Sequence, residues 1–175
     1  MKNVVLTFHN VQDAVWFERT LRLISRFYSF GTLDQLYARL SGRELAPRRM
    51  CFLSFDDGER SVYEVVFPVL KRLNIPVAMF VSPFNIREGG AFWFQRMRQL
   101  QPQETEKMKT LPLAYLDRRI ETLDPSGATN GDLNIDVPMF EALKKSGLVT
   151  FGAHTQHHPI LSNESDDTSH NEIRD

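Results

Sequence analysis

The feature that most constrains this chain is a rhythm. Apolar runs of four to six residues alternate with longer stretches whose apolar residues recur every three or four positions. A run that short has no room to build a helix, but it suits a strand covered on both faces, as in a parallel sheet. The expected strands are residues 4–8 (VVLTF), 50–55 (MCFLSF), 77–81 (VAMFV) and 148–151 (LVTF). The expected helices are 13–27, 32–40, 61–73 and 136–146. Thr32 can cap the second helix through its hydroxyl. Pro68 predicts a break near Phe67, because proline lacks the N–H a helix interior needs. Asp136 before Pro138 reads as a start, and Gly147 as a stop. Strand, helix, strand, helix defines an α/β protein with a mostly parallel sheet.

One segment breaks the rhythm. Residues 84–135 open with "FNIREGGAFWF", continue through a polar helix-prone stretch and end in "DPSGATNGD", a loop by composition. They are expected to form a helical insertion. The last stretch, "SNESDDTSHNEIRD", starts like a capped helix and ends there, so the fold is expected to be incomplete at the C-terminus. At 175 residues the chain lies near the ~150 typical of one domain, and a single domain over 1–175 is expected.

The net charge of −1 supplies no basic field for nucleic acid or an anionic membrane. No apolar stretch approaches the ~18 residues of a membrane span. The opening "MKNVVLTFHN" lacks the pattern of a signal peptide, so the chain reads as cytoplasmic as written, with a trimmed export signal as the alternative. Cys51 is the sole cysteine and lies in an apolar run. It reads as a small core residue, with a reactive thiol as the alternative. The oligomeric state is not legible. A sheet lacking strands would expose an edge, which predicts self-association.

Two short stretches carry the chemistry. Three of the five histidines fall between 154 and 158, and Pro159 closes the run. His154 and His158 are four apart. On one turn of helix, or a tight loop of similar pitch, both rings point the same way, as two ligands of one metal must. His157 falls on a different side. Surface histidines are the alternative. The second stretch is "SFDDG", residues 54–58, with adjacent carboxylates at the end of an apolar strand. A plain Asp-Gly turn is the alternative. Both stretches follow expected strands, and in parallel α/β folds the C-terminal strand ends carry the active site. One carboxylate and two imidazoles make three ligands and leave a position for water. The other carboxylate could then act as base.

These residues resemble the first two motifs of the polysaccharide deacetylases, the nodulation-type domain of carbohydrate esterase family four. That family reads Thr/Ser-Phe-Asp-Asp-Gly, then His-Ser/Thr-x-x-His-Pro. The matching residues are Ser54, Phe55, Asp56, Asp57 and Gly58, then His154, Thr155, His158 and Pro159. "VFPVLKRLNIPVAMFVSP" between them also looks like the family, and "LTFHNV" resembles the opening of one branch. The resemblance spans residues 4–173, with 84–135 as its least similar part. It implies a distorted (β/α) barrel with fewer than eight strands. It implies Asp57, His154 and His158 as metal ligands and Asp56 as general base. It implies one divalent ion, with zinc the expectation and cobalt, nickel or iron compatible. It implies an N-acetylated glycan as substrate.

The family's later motifs, Arg-x-Pro, Asp-x-x-Asp-Trp and the Leu-x-His that supplies the acid, are not found after Pro159; His170 is the only later histidine. This departure leaves open an inactive or sugar-binding relative. A non-haem iron oxygenase also uses two histidines and one carboxylate, but on a double-stranded β fold. His9 ends the first strand and could face the same mouth, or simply bond a neighbouring loop. Phe92, Trp93 and Phe94 could line a sugar wall, with core packing of the insertion as the better expectation.

Overall fold

All four expected strands form, with one more. Strands β1 (Val4–Phe8), β2 (Ser29–Gly31), β3 (Met50–Asp57), β4 (Val77–Val81) and β5 (Val149–Ala153) make one sheet. Its order is β1-β3-β4-β5, with β2 also on β3. The β1–β3, β2–β3 and β3–β4 pairs are parallel. Cys51 pairs with both Val4 and Phe30, and Phe55 with both Phe8 and Met79, so β2 and β4 follow one another along the same edge of β3. The computed structural model describes residues 2–43, 49–129 and 131–174. Asn130, in the loop expected over 124–132, lies outside them.

By its contacts the chain divides into two compact units, Met1–Val81 with Val137–Gly152, and Ser82–Asp136 with Ala153–Asp175. The first unit holds the sheet and helices α1 (Ala14–Ile24), α2 (Leu33–Leu40), α3 (Phe67–Leu73) and α8 (Val137–Lys145). Asp13 caps α1 by accepting from the amides of Val15 and Trp16. Thr32 caps α2 in a reciprocal box with Gln35, as its sequence predicts. The break at Pro68 takes a specific form. Residues Val62–Val66 make a wide π turn, and the Phe67 N–H reaches back to the Val62 carbonyl before α3 begins.

β3 is central and buried along nearly its whole length. Phe8, Phe17 and Phe55 meet at centroid distances of 5.4 to 6.0 Å. Full burial of a side chain such as Phe17, Leu21 or Phe55 contributes about 1.5–3 kcal/mol. Cys51 is fully buried, and burial pushes its thiol up to about 11, so the core reading holds. β1 differs from the expected fully buried strand. It is at the end of the strand order and alternates, with Val5 53% exposed. No residue of α2 is buried, so its apolar positions do not form the core face their spacing suggests.

The second unit is helical, as expected of the insertion. It comprises α4 (Pro83–Glu88), α5 (Trp93–Leu100), α6 (Thr105–Met108), α7 (Leu113–Leu123) and α9 (Asp166–Arg174). Its core gathers Phe92, Trp93, Phe94, Met97, Met108, Leu116 and Ile120. Two polar nodes sit beside that core. Gln95 and Asn134 exchange amide hydrogen bonds of 3.0 and 3.1 Å. Asp124, just past α7, accepts from Ser126, the Ala128 amide, and both the amide and hydroxyl of Thr129. The Thr129 hydroxyl is the largest cause holding the Asp124 carboxyl well below the ordinary aspartate range. Among the described residues, no helix is long and apolar enough to cross a membrane.

Candidate metal centre

In the first unit the carboxylates belong to the strand itself. β3 runs two residues further than its apolar pattern shows, through Asp56 and Asp57. The ladder with β4 continues to these residues, pairing Asp56 with Phe80 and Asp57 with Val81. The chain then turns sharply. Asp57 has φ +71° and Gly58 φ +76°, and the Gly58 amide bonds the Asp56 carbonyl at 2.9 Å. Left-handed backbone is uncommon outside glycine and costs of order 1–3 kcal/mol. Asp57 adopts it while 5% exposed. Such strain gathers at functional positions.

His9 reaches Asp56. β1 pairs Phe8 with Phe55, which puts the next residue of each strand side by side. His9 Nε2 lies 3.8 Å from Asp56 Oδ2, with the imidazole 60% exposed and the carboxylate 20%. The loops after β1 and β3 are stapled to each other. Asn10 donates to buried Glu59, and the Val11 amide to the Ser61 hydroxyl at 3.4 Å.

In the second unit, residues 154–159 form a tight loop rather than a helical turn. Thr155 and His158 are both left-handed, with φ +63° and +61°. The rings of His154 and His158 come together, centroids 4.9 Å apart and planes at 65°. Three polar contacts set this shape. Ser82 donates to the His154 carbonyl at 2.9 Å, Trp93 Nε1 to the His158 carbonyl at 3.3 Å, and the His158 amide to the Thr155 hydroxyl at 3.1 Å. Phe92 and Phe94 pack on the His158 ring at 5.0 and 5.2 Å. The aromatic trio is therefore buried core, as expected, and also supports a candidate ligand. His157 turns elsewhere, its ring 2.7 Å from Glu172 and 4.5 Å from Phe84. His170 is exposed on α9.

The residues fit a divalent cation on chemical grounds. Two imidazoles come together at one loop, and a buried carboxylate ends a strand in left-handed backbone. The roles of Ser82, Trp93 and Glu172 were not legible in the sequence. Each reaches the loop from 15 to 72 positions away, and no local pattern marks such a contact.

The sequence matches the family model described as Polysaccharide deacetylase over residues 44–175. The chain belongs to that family. Among solved structures it is similar to IcaB from Ammonifex degensii, at 23% identity and a TM-score of 0.62, covering 89% of this chain and 53% of that one. It is similar to the Streptococcus pyogenes deacetylase PplD in complex with acetate, at 17% and 0.60, covering 99% and 64%. The BpsB deacetylase domain from Bordetella bronchiseptica gives 17% and 0.53, covering 89% and 55%. These likenesses show the fold, and the chain spans between half and two thirds of each relative's length. No curated protein matches the chain.

Proposed function

We propose that this chain removes N-acetyl groups from an amino-sugar glycan, using a divalent ion held by Asp57, His154 and His158, with Asp56 as base. The observation that carries the reading is the family match, whose residues 44–175 include both "SFDDG" and "HTQHHP". The donor set is one carboxylate and two imidazoles, which suits zinc and also cobalt, nickel or iron(II). When bound, such an ion supplies Lewis acidity that activates water and polarises an amide carbonyl.

The chain's own residues supply the proton movements. Asp56 keeps part of its side chain open to solvent and accepts the proton of the attacking water. The leaving amine needs a proton in return. His9, exposed and 3.8 Å from Asp56, is the group of the first unit best suited to deliver it. The test is acetate release from N-acetylglucosamine oligomers, with and without added zinc or cobalt. Wild type should release acetate only with metal, and Asp56→Asn should lose at least ~100-fold in rate while still binding the ion. Turnover retained in Asp56→Asn would remove Asp56 from the role. Glycan retention without any acetate release would replace the enzyme with a binding relative. The oxygenase alternative has no support from a parallel α/β sheet in a deacetylase family.

A further inference from the structure

Neither the metal chemistry nor the family motifs account for the tie between the histidine loop and α9. Glu172 bonds two of the three residues that separate the candidate ligands. Its carboxylate accepts the His157 amide at 2.8 Å through Oε2 and the His157 ring at 2.7 Å through Oε1. Its backbone carbonyl accepts the Gln156 amide at 3.1 Å. The carboxylate is 10% exposed, so water competes little for these bonds.

We infer that Glu172 is a positioning residue for metal binding. It fixes the spacing and orientation of His154 and His158 through Gln156 and His157. The inference rests on the metal reading above. Its physical basis is the loop's strain. Thr155 and His158 are both left-handed non-glycine residues, a conformation that persists only where surroundings over-determine it. Ser82 and Trp93 hold the carbonyls of the two ligand residues, and Glu172 holds the segment between them. It also assigns His157. That ring is an anchor for the loop and not a third imidazole ligand.

The experiment is a cobalt(II) titration of metal-free wild type, Glu172→Ala and Glu172→Gln, following affinity and the visible spectrum at saturation. Circular dichroism of the metal-free proteins reports folding. Removing a partner that orients ligands weakens metal binding about 10- to 100-fold, and Glu172→Ala is expected in that range with altered band positions or intensities. Glu172→Gln keeps the volume but leaves one acceptor oxygen where the carboxylate uses two, and is expected near the tenfold end. A merely structural role would lower thermal stability and leave the saturated spectrum unchanged. If Glu172→Ala fails to fold, Glu172→Gln decides. Wild-type affinity and spectrum in the folded variants overturn the inference and leave the metal reading intact. A wild type that takes up no cobalt overturns both.

Discussion

The end of β3 and the histidine loop are built on opposite principles. Asp56 and Asp57 are held by the sheet. Their strand pairs with β1 and β4, buries almost every side chain and turns on Gly58. His154 and His158 lie just beyond a strand, where ladder bonds have ended. Their loop is held by Ser82, Trp93 and Glu172, each bonding its backbone from a distant part of the chain. A ladder repeats, so no single side chain decides it. A loop held by single contacts fails when one is removed. The difference teaches that the histidine half should be the more fragile under mutation.

The largest break should come at Trp93, which is 5% exposed and joins the second unit's core to the His158 carbonyl. Trp93→Ala is expected to cost about 3–5 kcal/mol, by the usual penalty for emptying an aromatic site, measured by urea denaturation. A loss under 1 kcal/mol would show that the loop does not depend on this anchor. Acid should weaken the second unit next. Thr129, Ser126 and Ala128 favour the ionised form of Asp124, so its folded pKa is depressed. Stability from that source is fully present above the ordinary aspartate range and is lost as pH falls through the folded value. Thermal melts from pH 7 to pH 3 should show wild type losing more stability on acidification than Asp124→Asn. Parallel curves would remove Asp124 from that role. The smallest effects are single hydrogen bonds. Ser82→Ala removes the contact to the His154 carbonyl, and Thr32→Ala removes the α2 cap. Each should cost about 1 kcal/mol, but only Ser82→Ala should also weaken metal uptake. Equal uptake in both would deny the loop its special dependence.

What was legible in the sequence follows the same divide. The strands around Asp56 were readable because each is a continuous apolar run, and the cap at Thr32 and the break at Pro68 because each is local chemistry. β2 was not, since three residues carry no period. β1 reads as a buried strand because an apolar run does not say that it will lie at the end of the strand order. The apolar pattern of β3 stops two residues early because Asp56 and Asp57 look like a turn by composition, yet they extend the ladder. The histidines were visible as a motif. Their supports were not, because a serine, a tryptophan and a glutamate acting across sequence leave no mark at any one position. His9 reads only as a strand-end residue in the sequence, and the register of β1 on β3 aims it at Asp56.

The measurement closest to the central claim is bound metal per chain by elemental analysis, in wild type beside Asp57→Ala and His154→Ala. The account predicts about one divalent ion per wild-type chain, the stoichiometry of a single three-ligand site, and its loss in both variants. Full metal content retained in either variant would contradict it, because the carboxylate and the imidazole would then not share one ion.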